Sequence, residues 1–259
     1  SLRRWLWRHL YEISWAPNTR RLEIELTSSC SLRCCNCKQQ VRQAPSNEHI
    51  SVEQIEHFVR ESIQLAWRWE RLNLTGGEPT LHPQFFRILD VLQCYLEFNP
   101  RCQVNVSTNG YGQKVRETLA RLPSWVTLSN SEKTDNNHEF TPVNMAPIDE
   151  PDCADASFHK GCWMTEYCGV GLSRYGYYPC GTGTAIDRVY GFDVSLKRLS
   201  ALTEPALRRQ LDRLCRYCGF FATNYRLDIA TTEMISASWQ AALARYQKRR
   251  PRLEEYGPS

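Results

Sequence analysis

Three cysteines in the run Cys30-Ser-Leu-Arg-Cys34-Cys35-Asn-Cys37 have the residue type and the spacing for metal chemistry. Thiolates set C-x₃-C-x₂-C on one short loop cannot all pair as disulfides without strain, yet they can converge on three irons of a cubane cluster. The fourth iron is then left without a protein ligand, and an open metal position is a place for catalysis. Cys35 intrudes between these positions and reads as a non-ligand.

Two further motifs carry polar groups suited to a ligand. Thr75-Gly-Gly-Glu-Pro79 has adjacent glycines, Gly76 and Gly77, that let backbone approach a ligand closely, and a carboxylate, Glu78, that can accept from an ammonium group. In Ser107-Thr-Asn-Gly110, Ser107 and Asn109 can hydrogen-bond ribose hydroxyls or a carboxylate. A second cysteine group follows: Cys162, Cys168, Cys180, Cys215 and Cys218. Cys215-Arg-Tyr-Cys218 is a chelating pair of the kind seen in zinc and iron–sulfur sites. Gly176-Tyr-Tyr-Pro-Cys180 reads as part of a hairpin with thiols at its base. Cys94 and Cys102 read as buried small hydrophobes, and His49, His57 and His82 as surface residues.

The elements that must hold these groups alternate strand and helix. Leu22, Ile24 and Leu26 alternate with polar neighbours as a strand. Ser51-Val-Glu-Gln54 reads as a capping box opening a helix with Val52, Ile55, Val59, Ile63 and Ala66 on one face. Strands are expected at 71–75, 103–107 and 125–129, with a weaker fifth at Val143-Asn-Met-Ala146, and helices at 85–96 and 114–122. Repeating β–α units imply a parallel sheet with its loops gathered at the strand C-termini. The three polar motifs fall at successive strand ends. Leu2, Leu6, Leu10 and Ile13 at helical spacing suggest a short N-terminal amphipathic helix within 1–20.

Composition bounds the class. With 259 residues, 42% hydrophobic and 11% aromatic, the chain can bury one large α/β domain, alone or with a small appendix. Twelve cysteines without a signal-peptide-like start point to metal-bound thiolates in a reducing cytoplasm. The net charge of +4 is mild, the basic patch 248–252 lacks interleaved aromatics, and no stretch approaches bilayer length, so neither nucleic acid nor membrane is an expected partner.

Together the three motifs resemble the radical S-adenosylmethionine (SAM) superfamily over roughly the first 110 residues. The resemblance implies a partial (β/α) TIM-type barrel over 21–155 and a [4Fe–4S] cluster on Cys30, Cys34 and Cys37. It also implies S-adenosylmethionine chelated at the open iron and cradled by Gly76, Gly77, Glu78 and Pro79, with Ser107 and Asn109 nearby. One-electron reduction would release a 5′-deoxyadenosyl radical. The position before the third cysteine, often aromatic in this superfamily, is Asn36. Residues 156–225 resemble the cysteine-rich twitch domain that carries one auxiliary [4Fe–4S] cluster, leaving 226–259 as a C-terminal helix and tail. Five cysteines then serve four irons: Cys180, Cys215 and Cys218 are the firmer ligands, and the fourth is Cys162 or Cys168. The rival is a tetrahedral zinc site on the same thiolates.

Length and two-part cysteine layout are similar to the 2-deoxy-scyllo-inosamine dehydrogenases. That likeness implies hydrogen abstraction at a hydroxyl-bearing carbon of a sugar or cyclitol, ending in dehydrogenation or epimerisation, with a flavodoxin or ferredoxin-type reductant. Cys153 or the unused one of Cys162 and Cys168 could return a hydrogen atom. His159 and Arg174, with His138 and Glu166, fall where a base is expected. Two alternatives stand beside this reading: modification of a ribosomal peptide, and a non-catalytic metal-binding or electron-transfer protein. Only about 20 residues precede the first strand, few for a peptide-recognition domain. The sequence gives no indication of oligomeric state.

Overall fold

The computed structural model describes residues 13–136, 140–153, 156–222 and 230–257. In β1 (Arg21–Thr27), Leu22, Ile24 and Leu26 point to one face and are fully buried, while Glu23, Glu25 and Thr27 point to the other. Strands β2 (Arg71–Gly76) and β3 (Gln103–Thr108) repeat the pattern, β4 (Val126–Asn130) is largely exposed, and the strands pair in parallel, β1 with β2, β2 with β3 and β3 with β4. The helices between them, α1 (Val52–Gln64), α2 (Phe85–Phe98) and α3 (Gln113–Leu119), include the crossovers that parallel pairing requires. Ile55, Phe58 and Val59 of α1 and Ile88, Leu89 and Leu92 of α2 pack on the apolar side of the sheet with Leu22, Ile24, Leu72, Leu74, Val104 and Val106. The result is a mixed α/β fold, a partial (β/α) barrel open at the exposed β4 edge.

The helix α1 begins as its sequence requires: Ser51 accepts from the Gln54 amide, and the Gln54 side chain accepts from the Ser51 amide. Such a cap contributes about 1 kcal/mol. Its buried face is Val52, Gln54, Ile55, Phe58, Val59 and Ser62. Ile63 is 39% exposed and Ala66 lies beyond the helix at φ 49°, so the expected stripe turns away before its last members.

After α4 (Trp163–Tyr167), a hairpin of β5 (Val170–Ser173) and β6 (Gly176–Tyr178) extends the same sheet. β5 pairs in parallel with β1, giving the order β4-β3-β2-β1-β5-β6. Beyond it lie α5 (Gly183–Tyr190), α6 (Glu204–Leu214), the short α7 (Gly219–Ala222) and α8 (Ala237–Lys248). Tyr178, Ile186, Val189, Leu214, Trp239 and Tyr246 form a second core there.

Several expectations are corrected. Val143–Ala146 is a buried turn, its apolar side chains packed against the second core, with Asn144 O accepting from the Ser236 amide. Cys94 is exposed on α2. His82 is 5% exposed, its Nε2 bound to Ile50 O at 2.8 Å. Residues 13–18 form neither helix nor strand; Leu2, Leu6 and Leu10 lie outside the described residues. Among the described residues no helix is long and apolar enough to cross a membrane.

Candidate active site

The loop that follows β1 brings Cys30, Cys34 and Cys37 to the C-terminal end of the sheet. Its sulfurs meet donors. Cys30 Sγ accepts from Asn109 Nδ2 and from the Leu32 amide, both at 3.4 Å, and Lys133 Nζ lies 3.9 Å from Cys34 Sγ. Burial lifts the Cys30 thiol to about 11 and raises that of Cys34, with Lys133 opposing the latter. Thiols so placed ionise when a metal takes the proton's place, and the converging donors suit anionic sulfur. The three cysteines thus share one loop, and the sulfurs of Cys30 and Cys34 have donors beside them. Cys35 turns elsewhere, its Sγ accepting from Arg42 at 2.9 Å.

The glycine pair joins this loop to the next strand end. The Gly77 amide donates to Thr27 O (2.7 Å) and the Glu78 amide to Ser29 O (2.8 Å). A Cβ at Gly76 or Gly77 would overlap the carbonyl oxygen of Thr27 or Ser29, so backbone packs on backbone here and only glycine fits. Glu78 is fully buried. Its Oε1 accepts from the Thr80 amide, Thr80 Oγ1 and Thr108 Oγ1 (3.3, 2.7 and 2.8 Å), and its Oε2 accepts from the Asn109 amide at 2.8 Å. Cys30, Glu78 and Asn109 are thus one hydrogen-bonded unit, and Pro79 starts the short 3₁₀ turn above it. Ser107 sits apart, its Oγ donating to Asn73 Oδ1 at 2.8 Å on the inner face of the sheet.

Asn36 has φ 49°, a region that Asn tolerates better than most residues. Its Nδ2 donates to Thr232 O (2.7 Å) and Ala230 O (3.4 Å), and its Oδ1 accepts from the Met234 amide (3.0 Å). Where the superfamily often has an aromatic ring, this chain has a clamp that ties the cysteine loop to 230–234. Asn36→Ala removes all three bonds and the left-handed preference, which together cost about 2–4 kcal/mol. Hydrogen exchange at Met234 is expected to accelerate at least tenfold; unchanged protection there would refute the clamp.

The inner face carries a polar row set by register. Glu23 pairs with Asn73, Asn73 with Asn105 and Asn105 with Thr127. Asn73 Nδ2 donates to Glu23 Oε1 (3.3 Å), Asn105 Nδ2 to Asn73 Oδ1 (2.7 Å), and Thr127 and Ser129 hydroxyls to Asn105 Oδ1 (both 3.1 Å). Lys38, 32% exposed, reaches Glu23 Oε2 at 3.4 Å. Burial works against the Lys38 charge, but Glu23 and then Cys168 outweigh it and raise its pKa. Glu25, one layer nearer the cysteine loop, is lifted to about 7 by burial, with Arg188 opposing. The signal for this face was in the sequence: Glu23 and Glu25 alternate with the buried Leu22, Ile24 and Leu26, and Asn73, Asn105 and Ser107 repeat that period.

The second thiol set lies at the opposite end of the strands. Cys168 precedes β5, whose start pairs with Leu22 near the beginning of β1, and Cys180 follows β6 back to that level. Cys162, Cys180, Cys215 and Cys218 line one cavity together with Thr182. Thr182 Oγ1 is buried there without a hydrogen-bond partner, as expected beside a group that would accept from it. Burial pushes Cys162 up to about 12 and raises Cys180, Cys215 and Cys218, the amides of Thr182 and Gly183 restraining Cys180. Cys168 is absent from the cavity wall. Its thiol, about 12 through burial, senses Glu23 and Lys38 and lies 3.7 Å from Met164 Sδ. Among the described residues no three His, Cys, Asp or Glu side chains converge on a single ion.

The remaining expected residues do not join this face. His159 is exposed and its carbonyl accepts from Arg208. Arg174 sits in the hairpin turn and pairs with Glu255. Cys153 is buried in a 3₁₀ turn after β4, and Glu166 is exposed on α4. His138 lies outside the described residues.

Part of the chain is similar to known proteins. Residues 24–129 match the family model described as the Radical SAM superfamily. A probable GTP 3′,8-cyclase of Thermococcus kodakarensis is 31% identical over 101 residues, covering 39% of this chain and 30% of that protein. A GTP 3′,8-cyclase of Actinobacillus pleuropneumoniae serotype 3 is 33% identical over 92 residues, covering 35% and 26%. Each match therefore spans less than a third of the relative. Among solved structures, BtrN in complex with AdoMet and 2-DOIA aligns with a TM-score of 0.46 at 12% identity, over 77% of this chain and 92% of that one. Streptococcus suis SuiB bound to the precursor peptide SuiA aligns with a TM-score of 0.31 at 20% identity, over 49% and 27%.

Proposed function

We propose that this chain, which carries a radical SAM domain over residues 24–129, is an enzyme that abstracts hydrogen from a hydroxyl-bearing carbon of a small sugar-like or cyclitol-like molecule. Cys30, Cys34 and Cys37 would hold a [4Fe–4S] cluster, and Cys162, Cys180, Cys215 and Cys218 an auxiliary one. When bound, the first cluster and S-adenosylmethionine supply a 5′-deoxyadenosyl radical. The observation that supports this reading most is a polar inner face bounded by one thiol set at each end of the strands.

The protein's own groups have separable tasks. Gly77, Glu78 and Asn109 hold the cysteine loop against the second and third strand ends. Asn73, Asn105, Thr127 and Ser129 offer donors and acceptors to substrate hydroxyls. Glu25, half-buried and near neutrality in its proton affinity, is placed to accept a proton. Cys168, left outside the auxiliary cavity beside Glu23 and Lys38, is the candidate hydrogen donor. If it returns hydrogen to the substrate the outcome is epimerisation; if it is dispensable the outcome is dehydrogenation through the auxiliary cluster. A flavodoxin or ferredoxin-type protein would supply electrons.

The activity named in the cyclase relatives fits this face poorly. Glu23, Glu25 and Glu48 outnumber Lys38 and Arg188, whereas a nucleoside triphosphate calls for an excess of cations. Anaerobic reconstitution tests the core of the proposal. Wild type is expected to hold about eight irons per chain and a Cys30/Cys34/Cys37 triple alanine variant about four. Reduced wild type should cleave S-adenosylmethionine and the triple variant should not. Loss of all iron in the variant breaks the two-site reading.

A further inference from the structure

Residues 237–257 carry five cations, Arg245, Lys248, Arg249, Arg250 and Arg252, against two carboxylates, Glu254 and Glu255. All five cations are exposed, and none forms an ion pair among the described residues. Glu255 is already held by Arg174. Helix chemistry accounts for part of the run. Arg245 and Lys248 stand in the last turn of α8, where cations balance the unsatisfied carbonyls. Arg250 and Arg252 lie past the C-cap Arg249, beyond the reach of that effect. A row of like charges on one surface repels itself, and its use is in attracting something of the opposite sign.

This surface is fastened to the cysteine loop. Ala44, at the far end of that loop, packs with Trp239, Ala242 and Tyr246 of α8. Arg250 Nη2 donates to Pro45 O at 2.9 Å. From there the chain winds back to Cys37 through two backbone bonds, Ala44 N to Gln40 O and Gln40 N to Cys37 O, both 2.9 Å. Arg42, exposed on the same stretch, donates to Cys35 Sγ at 2.9 Å and pairs with Glu233 at 3.7 Å. Cys37 is half-buried. The positive face therefore borders the residues that would hold the radical-generating cluster. Its chemistry does not suit single-stranded nucleic acid, which stacks its bases on exposed rings. Trp239, Tyr246 and Tyr256, the aromatics of 237–257, are all buried.

We infer that the face formed by Arg245, Lys248, Arg249, Arg250 and Arg252 docks a small acidic electron-carrier protein beside the cysteine loop. The inference rests on the proposed radical reaction and names where its partner binds. Each S-adenosylmethionine cleaved takes one electron, and the carrier, oxidised by one electron, supplies it. Charge complementarity of this kind speeds encounter and fixes orientation, which suits a partner that must leave after each delivery.

A flavodoxin in its hydroquinone state is the probe, used without oxygen on the reconstituted protein with S-adenosylmethionine. At low ionic strength Lys248→Glu/Arg252→Glu is expected to weaken flavodoxin binding at least tenfold. The rate of 5′-deoxyadenosine formation at subsaturating flavodoxin should fall with it. Reduced methyl viologen, a small cation that needs no docking face, should drive wild type and variant equally. Arg101→Glu/Arg116→Glu makes the same change in charge beside β3, across the sheet from α8, and should bind flavodoxin as wild type does. Salt of about 0.5 M should erase the difference between the proteins, because screening then acts within a few ångströms. Undiminished binding by Lys248→Glu/Arg252→Glu, equal weakening by the β3 pair, or no flavodoxin binding by wild type would each overturn the inference. Oligothymidylate bound as tightly through the same residues would overturn it too, marking a general polyanion surface. Binding needs no turnover, so the two readings fail separately. Wild type that binds flavodoxin but cleaves nothing with methyl viologen defeats the proposed reaction, not the docking face.

Discussion

A Cys162→Ala variant, reconstituted anaerobically, is expected to hold about four irons per chain, and a Cys168→Ala variant to keep about eight. The two cysteines stand at either end of the same five-residue helix, α4, so sequence spacing treats them alike. Packing separates them. Cys162 is 5% exposed in the cavity wall with Cys180, Cys215 and Cys218, and it is the first charge that the Cys215 and Cys218 thiols sense. Cys168 sits past the helix C-terminus beside Lys38 and Glu23. Removing a cavity ligand leaves one iron without a thiolate and exposes the cluster to loss; removing Cys168 takes away a thiol with no iron to hold. Product formation then reads the chemistry. Cys168→Ala that cleaves S-adenosylmethionine without epimerised product marks the thiol as the hydrogen donor, whereas unimpaired ketone formation assigns the electron to the auxiliary cluster. Iron lost equally from both variants would refute this division of the five cysteines.

The parts of this protein that could be read directly were those governed by local chemistry. Ser51 and Gln54 form the reciprocal cap their spacing predicts, because a capping box needs nothing beyond four consecutive residues. The strands 71–76 and 103–108 declare themselves through alternation against a helical layer. What was not legible depended on partners distant in sequence. Val143–Ala146 looks like a strand because its side chains are apolar, but they serve the core under α8, and Asn144 ties the turn to Ser236. Asn36 looks like a departure from an aromatic position until 230–234 supplies its partners. That Cys162, and not Cys168, shares a cavity with Cys180 and Cys215 depends on the positions of α5 and α6. Glu23 and Glu25 are the instructive omission. Two carboxylates alternating with buried aliphatic residues in the first strand of a mostly parallel sheet mark a polar interior, since an isolated charge on a dry face would be too costly.

Glu78→Gln is expected to lower the apparent melting temperature of the reconstituted protein by roughly 5–10 °C, from a loss of about 2–3 kcal/mol. The substitution keeps shape and changes one atom. Glu78 Oε1 gathers three donors and Oε2 one, so the amide oxygen must take the Oε1 position to serve Thr80 and Thr108. The new NH₂ then faces the Asn109 N–H, donor against donor, in a fully buried site. Asn109 is the residue whose Nδ2 meets Cys30 Sγ, so the disturbance passes to the cysteine loop through a single side chain. A carboxylate oxygen offers about two acceptor sites, and Oε2 has used one. The other is the one that the amino group of S-adenosylmethionine would use in the proposed site. Ligand linkage separates the two roles: a ligand that binds only the folded state raises the melting temperature in proportion to its affinity. If Glu78 contacts that amino group, saturating S-adenosylmethionine should stabilise wild type markedly more than Glu78→Gln. Equal stabilisation of both would leave Glu78 the anchor of the Cys30–Asn109 unit alone, and an unchanged melting temperature without ligand would remove even that role.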